Sequence, residues 1–171
     1  TVITTHLTEV IKENISELLS YSETQKLLDS ISNTHQKLVD DTVPAQISAG
    51  GVQRVLQSLL NEQVSIRDLP TILEAISEAT RLTSNLTLIT EHVRARLARQ
   101  ISYSNSNEEN IITIITLSPQ WEQAFNESLL GDGEEKQLAM PPTQLQEFIK
   151  TVRDVFEQHA LRGELPILLT S

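Results

Sequence analysis

Two apolar stripes at helical spacing, set on either side of a short link, restrict what this chain can fold into more than any other feature. Val52, Val55, Leu56, Leu59 and Leu60 form the first, Leu69, Ile72, Leu73 and Ile76 the second, and Val64 and Ile66 lie in the connection. Recurrence at intervals of three and four puts each set on one side of a helix. Asp68 is a good N-cap and Pro70 falls in the first turn, where its missing N–H costs little, so the second helix has a defined start. Residues 50–77 read as a helical packing module and carry no catalytic group.

The same periodicity continues to either side. Leu7, Val10, Ile11, Ile15, Leu18 and Leu19 predict a first amphipathic helix, with Lys12, Glu13 and Glu17 on its wetter side. Ser22 and Gln25 fit a capping box opening a second helix that buries Leu27, Leu28 and Ile31. A short third helix over residues 36–43 is stopped by Pro44, whose ring disfavours helical geometry in the residue before it. Residues 48–51 are expected to turn, and Leu86, Ile89, Val93, Leu97 and Ile101 predict one long closing helix. Short links between such helices imply a compact helical subdomain.

Residues 104–110 are polar and poor in apolar groups, which places a boundary there. Ile111, Ile112, Ile114 and Ile115, interleaved with Thr113 and Thr116, predict a strand buried on one face or both. Ser118 and Pro119 then cap a helix carrying Trp121, Ala124, Phe125, Leu129 and Leu130, which residues 131–135 break. A second helix opens near Thr143, where Gln146 completes another capping box, and presents Leu145, Phe148, Ile149, Val152, Val155 and Phe156 on one side. Pro166 leads into a last strand, expected to lie parallel to the first. The predicted fold class is mainly α with an α/β C-terminal part. The predicted organisation is a helix over 1–20 from the tail of a preceding subdomain, an all-helical subdomain over 21–103 and a partial α/β layer over 104–171. The chain begins without Met, in the middle of an element, and stops on a strand-like segment, so a fragment of something longer is expected.

Composition limits the chemistry. At 171 residues a chain buries about 70% of its unfolded surface and needs no disulfide or metal to hold a core. Cysteine is absent, which removes disulfide scaffolds, thiol catalysis and Cys-based zinc sites together. Thirteen Lys and Arg against 23 Asp and Glu give a formal charge of -10, which repels phosphate backbones and anionic lipid surfaces. No apolar run is long enough to cross a bilayer, and the first residues do not look like a signal peptide. Taken alone, the chain reads as soluble and cytosolic.

None of the four histidines, His6, His35, His92 and His159, stands at metal-ligand spacing, so structural or solvated roles are expected and no metal or cofactor is predicted. The hydroxyls lack a nucleophile-elbow context, and Gly50-Gly51 lacks the lysine and spacing of a phosphate loop. Adjacent Asp40-Asp41 and Glu108-Glu109 would diverge on a helix, unlike the facing carboxylates of a hydrolase. Trp121 reads as core and residues 131–135 as a solvated connection. Arg94, Arg96 and Arg99 are the charged cluster of interest: either an exposed face balanced by acids such as Glu91, or a contact with an acidic surface on a neighbouring subunit. A helix-turn-helix nucleic-acid binder over residues 50–80, using Arg54, Arg67 and Arg81, is the remote alternative. Against it, its recognition helix would carry Glu74 and Glu78 and no basic residue.

The wording of several segments resembles one family. Val55-Leu56, Leu59-Leu60, Ile66-Arg67-Asp68 and Thr71-Ile72-Leu73-Glu74 belong to the pattern, as do Thr5-His6-Leu7, Gln25-Lys26-Leu27-Leu28-Asp29, Lys37-Leu38-Val39-Asp40-Asp41-Thr42-Val43-Pro44, and Leu88 to Arg94 with Leu97-Ala98-Arg99. Together they are similar to the cytoplasmic domain of the FlhA (FHIPEP) family, the flagellar branch of the type III secretion export gates. The similarity covers residues 1–103, whereas beyond Ile111 only the order of elements and the closing Pro166 to Thr170 agree. The resemblance implies a non-enzymatic, ring-forming platform on the cytoplasmic face of the bacterial inner membrane, in a multi-pass membrane protein whose spans lie outside this chain. It implies export chaperones with their substrates and other export apparatus proteins as partners. It also implies that Val2 and Thr5 match positions at the edge of a chaperone groove, with Thr4 standing where many relatives have Ala. The gate of a virulence injectisome is the alternative within the same class.

Overall fold

The structure is a computed structural model and describes residues 2–131 and 136–170. It holds two units, Thr1–Ile101 and Ser102–Ser171, with nine helices and four short strands among the described residues. The fold is mainly α, with a small α/β part after the helical unit.

In the first unit, α1 (Val2–Glu13) and the single-turn α2 (Ile15–Leu18) replace the one helix predicted. Asn14 separates them, with φ -114° and ψ 15°, and its side-chain amide donates to the Val10 carbonyl at 2.8 Å. A short polar side chain that bonds the nearby backbone competes in this way with helix continuation. α1 buries no residue, so the stripe of Leu7, Val10 and Ile11 stays exposed. α3 (Tyr21–Thr42) starts at Ser20, whose Oγ accepts from the Glu23 amide at 3.1 Å. The capping pair is thus Ser20 and Glu23, two residues before the one predicted. The second and third predicted helices are one element bent at His35 (φ -131°, ψ 43°). α3 ends at a Val43–Pro44 peptide in the cis form.

Residues 48–51 do not form a turn. Ser48 caps α4 (Ala49–Asn61), accepting from the Gly51 amide at 3.1 Å, and both glycines lie in the first helical turn. A Cβ on Gly51 would sit 2.5 Å from Ile47 Cγ1, so glycine is required by close packing rather than by chain reversal. At the other end Gln63 takes φ 58°, the Val64 amide donates to Leu59 O, and the Gln63 amide to Leu60 O, both at 2.9 Å. That double bond pattern is a Schellman stop with glutamine in the left-handed position.

α5 (Leu69–Ala79) begins as the sequence predicts, with the Asp68 carboxylate accepting from the Thr71 amide at 3.4 Å and from its hydroxyl at 2.8 Å, and with Pro70 in the first turn. The predicted long closing helix is divided at Leu97 into α6 (Leu86–Arg96) and α7 (Ala98–Ser104). Asn85 Oδ1 caps α6 by accepting from Thr87 N at 2.9 Å. Val52, Val55, Leu59, Ile72, Leu73, Ile76 and Val93 are fully buried, so the two stripes and the closing helix make the centre of one core.

In the second unit β1 (Ile114–Thr116) is shorter than predicted and is not buried: Ile114 is 52% exposed. α8 (Pro119–Ser128) starts at Ser118 as expected, its Oγ accepting from Trp121 N at 3.4 Å. Leu129 and Leu130, predicted as helix, form β2 (Leu129–Leu130), antiparallel to β3 (Gln137–Leu138). The predicted connection at 132–135 lies outside the described residues. α9 (Pro142–Ala160) is opened by Pro141 and Pro142 without a side-chain cap, so Thr143 and Gln146 are interior positions. β4 (Ile167–Leu169) pairs parallel with β1, Ile114 opposite Ile167 and Thr116 opposite Leu169. Trp121 is half-buried, edge-on to Phe148 at 5.1 Å, and Phe125 meets the same ring at 4.8 Å.

Candidate functional site

The arginines of α6 are gathered by acids from three helices. Arg94 Nε lies 3.1 Å from a Glu62 oxygen at the end of α4, and its Nη1 lies 3.1 Å from Glu91. Arg96 is held more loosely, 3.7 Å from Glu78 and 3.8 Å from Glu74 on α5, and His92 Nε2 shares Glu78 at 3.2 Å. All of these groups are partly solvated, a setting in which an ion pair contributes about 0–1 kcal/mol. Arg99 stands beyond the break at Leu97, exposed and without an ion pair to the described residues. The cluster therefore separates into two arginines bound within their own unit and one free for another surface.

The helix proposed for nucleic-acid recognition is α5, and it is walled into the core: Leu69, Ile72, Leu73, Ala75, Ile76, Ser77 and Ala79 are buried, while its exposed residues are Glu74 and Glu78. A helix with that burial and that charge cannot enter a groove lined by phosphates.

Recesses among the described residues include the following. One, of about 530 Å³, runs between Lys12 and Ile15 on one wall and Leu60, Val64, Ile66 and Arg67 on the other. A recess of about 360 Å³ with mixed polar and apolar lining lies between α4 and α6, beside Arg54, Asn61, Thr87 and Glu91. In the second unit, an apolar cleft of about 230 Å³ is bounded by Trp121, Phe148, Val152, Phe156 and Leu168, with Thr116, Ser118 and Thr151 as its hydroxyls. None of these sets contains a histidine. The four histidines are dispersed: His6 and His35 are exposed, His92 meets Glu78, and His159 Nδ1 meets Glu164. No group of three His, Asp or Glu positioned for a metal occurs among the described residues. Concave, mostly apolar recesses with a few polar groups are the usual form of a binding site.

Val2 and Thr5 both lie on the exposed α1, Val2 being 87% accessible. Two residues that the sequence did not single out are Gln53 and Gln57, whose amides reach the end of α2. Their i, i+4 spacing beside the first apolar stripe was the available signal, because glutamines so placed share one helix flank.

No helix among the described residues is long and apolar enough to cross a membrane. The FHIPEP family profile matches residues 1–171. The flagellar biosynthesis protein FlhA of Caulobacter vibrioides is 58% identical over the whole chain, which spans 24% of that relative's length. FlhA of Bacillus subtilis is 35% identical over 99% of the chain and 25% of its own. Among solved structures, Chlamydia pneumoniae CdsV in its complex with CdsO superposes with a TM-score of 0.86 at 26% identity, over 99% of this chain and 50% of that one. The nonameric SctV-C of EPEC gives a TM-score of 0.80 at 25% identity, over 89% and 46%. The chain spans about a quarter of the curated relatives and belongs to the FHIPEP family.

Proposed function

We propose that this chain is part of the cytoplasmic portion of a flagellar type III export gate, acting as a ring-forming platform that docks export chaperones with their substrates and other export apparatus proteins. The observation that carries this is 58% identity to a flagellar FlhA with no stretch of the chain left uncovered. Two structural relatives add support: SctV-C of EPEC is nonameric, and CdsV of Chlamydia pneumoniae is in complex with CdsO. The role asked of the chain is binding rather than bond-making, and its site is the cytoplasmic face of the bacterial inner membrane. Within that reading, Val2 and Thr5 edge the chaperone groove. Arg99, with Arg96 behind it, meets an acidic surface on the next subunit, while Arg94 braces α6 through Glu62 and Glu91.

A virulence injectisome gate is the second reading, favoured by the architecture of CdsV and SctV-C, but their 25–26% identity is less than half of that to the flagellar relative. The test is a chimaera in which these 171 residues replace the matching segment of the Caulobacter FlhA. Restored swarming in soft agar is expected. A stable, membrane-inserted chimaera that exports no flagellin overturns the flagellar assignment.

A further inference from the structure

The recess between α4 and α6 is lined by charges of both signs. Glu62 and Glu91 lie together in it, bridged by Arg94 at 3.1 Å on each side. One guanidinium against two carboxylates leaves that end net negative. Arg54 stands eight positions before Glu62 on α4, a step that the helical rise converts to about 12 Å. It is exposed, its Nε donates to the Gly50 carbonyl at 3.4 Å, and no carboxylate among the described residues pairs with it. Asn61 and Thr87 add an amide and a hydroxyl to the lining, and neither side chain is engaged by another described residue. The walls belong to α4, its C-cap and α6, whose inner faces are held by Val55, Leu59, Ile89 and Val93 of the core, so their geometry is set within the helical unit.

We infer that this recess docks an extended polypeptide segment that presents a carboxylate to Arg54 and a lysine or arginine to Glu62 and Glu91. Side chains four positions apart on an extended chain share one face and stand about 13 Å apart, which matches the step of about 12 Å along α4. The charges also fix the sense of the segment, because the reversed orientation brings like charges together. Asn61 and Thr87 can each donate and accept, as the main-chain amides of such a segment require. This partner class rests on the docking role proposed above and narrows it to one surface and one pattern of charge.

The probe is a phage library of short random peptides panned against the intact chain, with the enriched sequences then made synthetically and titrated by fluorescence anisotropy. Enriched peptides are expected to carry Asp or Glu four positions from Lys or Arg. Arg54→Glu is expected to weaken their binding about tenfold, and a peptide whose acid is replaced by lysine to bind that variant better than the parent chain. Arg153→Glu makes the same change of charge at an exposed position of α9, outside the recess, and is expected to leave binding unchanged. Should Arg54→Glu fail to fold, Arg54→Gln is read in the same way against the parent peptide. Enriched peptides without the charge pair, equal binding by the parent chain and Arg54→Glu, an equal loss with Arg153→Glu, or no enrichment at all overturns the inference. Failed selection beside a chimaera that swarms removes this partner and leaves the export-gate reading standing, whereas the selected pattern beside a chimaera that exports no flagellin does the reverse.

Discussion

At the scale of single residues, the glycine pair at the start of α4 separates two roles that look alike in sequence. A Cβ on Gly51 would meet Ile47 Cγ1 at 2.5 Å and Cδ1 at 3.0 Å, and Ile47 is itself a core residue, so Gly51→Ala forces a buried side chain out of place. A Cβ on Gly50 meets Ser48 Oγ at 3.9 Å and Tyr21 Cε2 at 4.0 Å, ordinary contacts. Gly51→Ala is therefore expected to lower stability by about 1–2 kcal/mol, and Gly50→Ala to raise it by about 0.5–1 kcal/mol through the reduced freedom of the unfolded chain. Opposite movements of the urea midpoint check the pair. Gln63 offers a second case. It holds φ 58° to complete the α4 stop, a conformation that costs a residue with a Cβ roughly 1 kcal/mol. Gln63→Gly is expected to recover about that much with the Schellman bonds unchanged, again read as a higher midpoint. Both effects were out of reach of the sequence, because neither a neighbour's Cγ1 nor a sign of φ is written in residue types.

At the scale of elements, what local chemistry decides was legible and what competition between neighbours decides was not. The starts of α5 at Asp68 and α8 at Ser118 follow from an oxygen acceptor three residues before a free amide with a proline in the first turn, and both occur where predicted. Two serines competed at the start of α3, each with a Glu or Gln three residues on, and the cap falls at Ser20, whose Oγ accepts from the Glu23 amide. The division of the closing helix at Leu97 left no mark in the apolar spacing, since Leu97 itself remains buried across it. Leu129 and Leu130 continue the apolar pattern of α8 but pair with residues 137–138, a strand pairing that no apolar period encodes. Of the candidate site, the acids around Arg94 and Arg96 were legible only in part: Glu91 is one turn away, whereas Glu62, Glu74 and Glu78 come from other helices. The contrast between α1 and α5 gives a prediction at this scale. Leu73→Ala removes a fully buried side chain from α5 and is expected to cost about 2–5 kcal/mol. Leu7→Ala, on a side chain 57% exposed, is expected to change stability by under about 0.5 kcal/mol. Thermal unfolding monitored by helical ellipticity distinguishes them, and a large loss from Leu7→Ala would show that the stripe of α1 is covered in solution.

At the scale of the whole molecule, self-association of the kind proposed would bring together copies of this segment, each with a formal charge of -10. Long-range repulsion between such copies weakens as salt shortens the Debye length from about 30 Å at 0.01 M to about 8 Å at 0.15 M, whereas a direct guanidinium–carboxylate contact at the interface is screened far less. Self-association is therefore expected to strengthen over that range of ionic strength, the reverse of what a set of exposed ion pairs alone would give. Arg99→Glu shifts the charge of each copy from -10 to -12, two units, from the arginine lost and the carboxylate gained. It also removes the exposed guanidinium that has no partner among the described residues, so weaker association is expected at every salt concentration. Arg94→Ala breaks the bonds to Glu62 and Glu91 inside the unit, and its first effect is expected on unfolding, by about 0.2–1 kcal/mol. Sedimentation velocity over a concentration series, run at both ionic strengths for the parent chain and Arg99→Glu, reads the first two expectations, and the urea midpoint of Arg94→Ala reads the third. Association that is indifferent to Arg99→Glu would remove Arg99 from the interface and leave the apolar grooves as the surfaces that hold neighbours together, whereas association that falls steadily as salt is added would show exposed ion pairs to outweigh the long-range repulsion.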